Sequence, residues 1–498
     1  MIHWAVLNGE SVGGCSSSLR QDMWSSAGPK FRQEDKVTPS PAPPLGNLLN
    51  TLRVDDLEPS AKGYLASSRI ENARTVTSYS WVDNANSGPT ILIPGKPPLW
   101  TPQKHPAPLK EDRGTYYRDK NAARYPKHPI EPAAVALLRA DPSVPTDVDV
   151  FACGSTLGNL LRFVRGQDKS FRMLAYLVKD TVFLVRRENS PTELIPDVRG
   201  FGHSFPEANT TWERDVRGSV SNQRLIRYTF GGLDMVVRFE ADGYIQSPAA
   251  PASKPSPVTP KADTTDSDLI TSLATTSIST PAPTTESASS EPHRLTIKPA
   301  GSRVPQSAIF DLKTRSIYTR LKRDHLAEEL PRLWVSQIPT FILAFHTRGL
   351  FKKEDTEIKD VRQDVQNWEA EHKNELASLV ALLHRIRDIL KGQPGQKVEL
   401  VHSGDGTLEV REQLEDAGEV MSDAVRGQWE ASGEERKEAG DKDRDQDSRS
   451  THDQEDNDHE DDEEDAEGGI KLTWDDGEEE DYTACTADSC GYCGRCSY

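Results

Sequence analysis

Apolar runs separated by polar turns mark the folded part of this chain. TVTSYSWVD (Thr75 to Asp83) and PTILIPGKPPLW (Pro89 to Trp100) alternate like strands, with an Asn-Ala-Asn-Ser-Gly turn between them. PAAVALLRAD predicts a short helix, and VDVFACGSTLGNLLRFV (Val148 to Val164) a strand turning into a helix. FRMLAYLVKDTVFLVRRE (Phe171 to Glu188) predicts a hairpin turning at Lys179-Asp180. Two further strand-like pieces are RLIRYTFGGLDMVVRFEADGYI (Arg224 to Ile245) and SAIFDLKTRS (Ser307 to Ser316). SIYTRLKRDHLAEELPRLWVSQ predicts a helix broken at Pro331, and PTFILAFHTRGLF a strand with a turn at Arg348-Gly349. In VQNWEAEHKNELASLVALLHRIRDILKG, Leu376, Leu379, Val380, Leu383, Ile386 and Leu390 fall at helical spacing, with Gly392 as the stop. His384 on that helix reads as a packing residue. This order predicts an α+β domain, a mixed central sheet with helices packed on it.

Composition narrows where that domain lies. The chain has 498 residues, 34 of them proline, and is only 35% hydrophobic, so part of it cannot offset its ordering entropy by burial. Residues 1–60, rich in Ser, Pro and Gly, are expected to be disordered, as is a Ser/Thr/Pro insertion over 246–293. A single folded domain is then expected over 61–245 and 294–395. An acidic, mostly disordered region over 396–482 and a Cys-rich motif over 483–498 follow. An insertion of this length is tolerated because loop-closure entropy grows slowly with length.

The net charge of −19 is concentrated in one place. Ala431 to Tyr482 holds 24 Asp and Glu against six Lys and Arg, leaving the remainder within one charge of neutral. The global balance therefore does not argue against a nucleic-acid partner. Cysteine placement, the lack of a signal-peptide pattern and the lack of ~18 consecutive apolar residues predict an intracellular protein of nucleus or cytoplasm, neither secreted nor membrane-bound.

Candidate chemistry gathers on the two strand-like pieces. Successive strand side chains alternate between faces, so Glu240 and Asp242 share one face, and Asp311 and Lys313 share another. Brought together, three carboxylates and one ammonium are costly unless a divalent cation neutralises them. The alternative is an ordinary pair of strands with solvated charges. Three other segments carry weaker signals. TYYRDKNAARYPKHP (Thr115 to Pro129) suits either a nucleic-acid strand or a solvated loop. GSTLGNL lacks the Gly-Lys-Ser/Thr ending of a phosphate loop and reads as a turn and cap. In VRGFGHSFPEANTTWERDV, Glu207 and Glu213 are candidate site acids.

RFEADGY, then FDLKTRS, then a helix containing LWVSQ, then PTFILAFHTRGLF and a long helix bearing Trp368, together resemble the DXO-like decapping exoribonucleases. These belong to the PD-(D/E)XK nuclease group, and the resemblance covers about residues 150–395. It implies a PD-(D/E)XK nuclease-like fold and a two-metal site for Mg²⁺ or Mn²⁺. Glu240, Asp242, Asp311 and Lys313 would be its catalytic residues, with Glu207 as a further metal ligand and Gln337 beside the RNA end. Asp311 stands where those enzymes carry Glu, and Pro206 precedes Glu207 in the GHSFPE element. On this reading Arg224, Arg227 and Arg315 are candidate phosphate contacts, the alternative being a solvated face. The implied function is metal-dependent phosphodiester hydrolysis on RNA 5′ ends. The alternative is a catalytically inactive nuclease-fold module that binds nucleic acid or protein.

Two features of the tail complete the reading. DDEED at Asp461 to Asp465 matches the DDxxD pattern of prenyl-diphosphate synthases, but the surrounding sequence lacks the apolar helical periodicity such a site requires, so that function is disfavoured. Cys485, Cys490, Cys493 and Cys496, spaced C-x4-C-x2-C-x2-C, suit Zn²⁺ ahead of an iron–sulfur cluster. Unligated thiols, or a protein-docking peptide on an acidic linker, are the alternatives.

Overall fold

The computed structural model describes residues 39–83, 88–113, 115–143, 147–196, 198–246 and 294–432. The insertion, the acidic tail, its DDxxD match and the four terminal cysteines lie outside these residues. Among the described residues, seventeen strands form two sheets. The larger sheet runs β1 (Leu48–Arg53), β17 (Thr407–Glu412), β16 (Lys397–His402), β6 (Phe171–Val178), β7 (Thr181–Arg186), β5 (Val150–Cys153), β10 (Leu233–Glu240), β9 (Ser219–Phe230), β2 (Ile70–Val82), β3 (Thr90–Gly95) and β12 (Thr296–Gly301). The smaller runs β15 (Leu350–Asp360), β14 (Thr340–Thr347), β13 (Ile309–Ser316), β11 (Gly243–Tyr244), β4 (Leu99–Trp100) and β8 (Thr210–Thr211). Both sheets mix parallel and antiparallel pairs, as expected for an α+β fold.

Helices cover both faces of the large sheet because its strands alternate apolar residues to each side. Val150 and Ala152 of β5 face α4 (Gly154–Val164), α6 (His325–Ser336) and α8 (Lys373–Gly392), in a core that includes Leu160, Trp334 and Leu383. Phe151 faces the other way, toward α3 (Glu131–Ala140) and α9 (Asp423–Ala431), in a second core built around Tyr79, Trp81 and Trp429. The small sheet packs Phe310, Leu312 and Ile342 against Phe201 and Phe205, the latter on α5 (Ser204–Asn209). The element list is completed by α1 (Val54–Ala61), α2 (Lys120–Arg124) and α7 (Arg362–Glu371).

Four local expectations change in three dimensions. Arg224 to Ile245 is not one strand: Gly231 and Gly232, at φ +61° and +80°, turn the chain between β9 and β10. Two successive positive φ values suit the two-residue turn that glycine makes cheaply. Pro331 does not break α6, which continues to Ser336 because Leu333, Trp334 and Val335 beyond it are fully buried. The last predicted helix divides at His372 into α7 and α8. Finally, ordered elements also occupy 48–61 and 397–431, where Leu52, Leu57, Val398, Leu400, Leu408 and Trp429 are buried.

Candidate functional site

The chain leaves the large sheet at Glu240 and joins the small one at Gly243, so Asp242 lies at the seam between them. There β11 pairs with β13 through Gly243 opposite Phe310 and Tyr244 opposite Ile309. The two motif strands are therefore not direct neighbours: β10 pairs with β9 and β5, and β13 with β11 and β14. The crossing nevertheless delivers Glu240, Asp242, Asp311 and Lys313 to one cavity of about 400 Å³. The same cavity takes in the C-terminal ends of the parallel strands β10, β5 and β7, through Arg238, Cys153 and Arg186, together with Gly154 and Ser155 at the start of α4.

On β13, alternation sends Asp311, Lys313 and Arg315 to one side, and all three are buried, Asp311 at 2% exposure. Charges at such depth require partners. Arg332 of α6 bonds Asp311 and, 2.9 Å away, Glu329 one helical turn earlier. Fully buried Glu329 is shared with Arg315, whose Nη2 donates to its Oε1 at 3.3 Å. Asp242 accepts the backbone N–H of Leu312 at 2.7 Å. Burial pushes Asp311 up to about 7; Arg332 and Lys313 pull it down while Asp242 and Glu329 add to the rise. Burial also raises Asp242, against the pull of Arg332 and Lys313. Glu240 is engaged separately, by Lys120 Nζ at 2.9 Å and Gln223 Nε2 at 3.5 Å. Lys120 is positioned by the first turn of α2, which Asp119 caps by accepting the N–H groups of Asn121 and Ala122.

Glu207 is exposed on α5 and reaches the cavity wall. Beside it His203 also lines the cavity, stacked on Tyr116 with ring centroids 3.7 Å apart and bonded through Nδ1 to Asp112 at 3.1 Å. Burial raises the Asp112 carboxyl, but bonds from the His203 ring and from the backbone of Ser204 and His203 together hold it below its ordinary value. Glu213 is held instead by Lys96 and the Tyr244 hydroxyl.

Arg315 lines the cavity, whereas the structure turns the other sequence-predicted phosphate contacts away from it. Arg224 is fully buried and donates to Thr75 Oγ1 and Val304 O at 2.8 and 2.9 Å, and burial lowers its pKa to about 10. Arg227 closes on Asp234 across the β9–β10 hairpin, with bonds of 2.6 and 2.7 Å. Gln337, the left-handed C-cap of α6 at φ +48°, donates back to Trp334 O at 2.7 Å. Its neighbours Ser336 and Ile338 line the cavity in its place. In the sequence neither Arg332 nor Glu329 stands out, and Arg238, Arg186 and Cys153 carry no sign of a role, whereas Lys120 lies in the Thr115 to Pro129 segment that suits a nucleic-acid strand or a solvated loop. The i, i+3 spacing of Glu329 and Arg332 on an amphipathic helix was the one available signal.

Among the described residues no three His, Cys, Asp or Glu side chains gather in a group that could hold a metal ion. Glu240 is drawn to Lys120 and Asp311 to Arg332, so the four expected acids do not present a common set of donors. In this arrangement the residues do not fit the two-metal site.

No curated protein sequence matches the chain. Solved structures similar to it include Scheffersomyces stipitis Rai1 in complex with (3′-NADP)+ and calcium ion, at 10% identity and TM-score 0.47, covering 77% of this chain and 100% of that one. Candida albicans Rai1 in complex with pU5-Mn²⁺ is similar at 8% identity and TM-score 0.45, covering 79% and 99%. K. lactis Dxo1 in complex with manganese follows at 7% identity and TM-score 0.38, covering 75% and 96%. The profile of a domain of unknown function, DUF8563, matches residues 55–424, and the chain belongs to that family.

Proposed function

We propose that the cavity binds the 5′ end of an RNA chain. The observation that carries this reading is the convergence of Arg118, Lys120, Arg186, Arg238, Lys313, Arg315 and Arg332 on one concave wall, beside the start of α4. Cationic side chains and a helix N-terminus together suit phosphate oxygens. A volume of about 400 Å³ suits the end of a chain better than a duplex. The preference for RNA and for a 5′ end draws on the motif resemblance of β10 and β13. Fluorescence anisotropy of 5′-phosphorylated and 5′-hydroxyl oligoribonucleotides tests the reading: the phosphorylated form should bind several-fold tighter. Equal affinity for both, unchanged in Arg238→Ala, would remove it.

Phosphodiester hydrolysis is the second reading, favoured by half-buried Asp242 and buried Asp311 lining one cavity with Lys313. An acid raised to about 7 can exchange a proton near neutrality, and Lys313 and Arg332, which line the same cavity, would stabilise charge on phosphoryl oxygens. Incubating 5′-triphosphorylated or capped RNA with the protein, in EDTA and separately with Mg²⁺ or Mn²⁺, should give in at least one condition a product absent from Asp311→Ala and Lys313→Ala. No product under any of these conditions would leave binding as the function.

A further inference from the structure

From the contacts around Asp311 we infer that Arg332 is the resident cation of this cavity, so that its anionic ligand is taken up without a divalent metal ion. Three observations lead there. The first is charge balance: Asp242 and Asp311 on the cavity wall, with fully buried Glu329 bonded to two of its arginines, are matched one for one by Lys313, Arg315 and Arg332. A carboxylate cluster that recruits a divalent cation needs an excess of negative charge, and this cluster has none.

The second is the way Arg332 is held. Its Nε donates to Glu329 Oε2 at 3.0 Å while Nη2 bonds Asp311, so one planar guanidinium bridges two acids from different elements. Glu329 is itself fixed, fully buried and bonded by Arg315. Arg332 therefore does not swing freely into solvent, and displacing it would strip Glu329 and Asp311 of the guanidinium they share in a dry environment. The third is the occupation of the remaining acids. Asp242 accepts the Leu312 N–H, and Glu240 pairs with Lys120. Arg332 still lines the cavity beside Lys313, where a guanidinium presents the planar donor array suited to phosphate oxygens.

The inference rests on the RNA reading only for the identity of the anion, and its test separates the two. Mn²⁺ binding to the full chain is measured by electron paramagnetic resonance for wild type, Arg332→Gln, Arg332→Lys, Asp311→Asn and the Arg332→Gln/Asp311→Asn double variant. Binding by the acidic tail is common to all five and cancels. Arg332→Gln should gain one Mn²⁺ over wild type, the double variant should lose it, and Arg332→Lys should not gain it. In parallel, the affinity of wild type for a 5′-phosphorylated oligoribonucleotide should be the same in EDTA and in Mn²⁺. Arg332→Gln should bind that RNA about tenfold more weakly in EDTA. A wild-type Mn²⁺ site that disappears in Asp311→Asn overturns the inference, even if Arg332→Gln fails to fold. Absence of RNA binding in every variant would defeat the RNA reading alone, since the Mn²⁺ comparison is decided without it.

Discussion

Lys120 Nζ lies 2.9 Å from Glu240 Oε1, a pairing across 120 residues that fixes the first acid of the β10 motif on the cavity lining. Both side chains are about one-third exposed, so breaking the pair should cost at most about 1 kcal/mol, and variants should fold. Lys120→Ala should weaken RNA binding several-fold and reduce the slope of log affinity against log salt by about 1. Glu240→Gln should strengthen binding by removing a like charge from the phosphate path. Identical salt slopes in wild type and Lys120→Ala would show that Lys120 touches no phosphate.

Stability should carry a pH signature from Asp311. Its pKa rises from the ordinary 3.8 to about 7 on folding, so between those values the folded state holds a proton that the unfolded state has released. On this account stability falls as pH rises through that window, and the cost is fully present above about 7. Asp311→Asn should match wild type in thermal midpoint near pH 4 and exceed it by roughly a few degrees at pH 8. A difference between the two that does not change with pH would contradict this.

Arg227 predicts the opposite separation. Its two bonds to Asp234 tie the β9–β10 hairpin together and lie outside the cavity. Arg227→Ala should lower unfolding free energy by about 2 kcal/mol in urea denaturation while leaving RNA affinity unchanged. Weakened RNA binding by a fully folded Arg227→Ala would return this residue to the binding surface.

Trp334 anchors the helix that presents Arg332. It is fully buried against Phe230 and Trp368, and its indole N–H donates to Glu369 Oε2 at 2.6 Å, an acid that also accepts the Ile70 N–H. Trp334→Ala should cost about 3–5 kcal/mol, measured by denaturant unfolding. Glu369→Gln should cost less, since it keeps an acceptor for both N–H groups. A loss under 1 kcal/mol for Trp334→Ala would mean that α6 is held chiefly by other contacts.

Much of this protein was determined by local pattern. Alternation placed β2, β6, β7 and β14, and helical spacing placed α3, α4 and α8, because period-2 and period-3.6 burial is written in neighbouring residues. The EAD and DLK motifs were legible for the same reason: charges at the end of apolar strands stand out, and both motifs line the cavity. Strand assignment alone could not tell that Arg224 and Arg227 are absorbed by structural partners, because both have the chemistry of a phosphate contact until Thr75 and Asp234 are seen beside them.

What only the tertiary structure decided is how the acids are neutralised. The partners of Asp311 and Glu240 are Arg332, 21 residues away on a helix, and Lys120, 120 residues away at the start of the short helix α2. Buried charge selects a partner by proximity in space, and that proximity arises where the chain crosses between two sheets at Asp242. The sequence by itself determined the strands, the helices and the acids; the crossing decided that arginine and lysine stand among them.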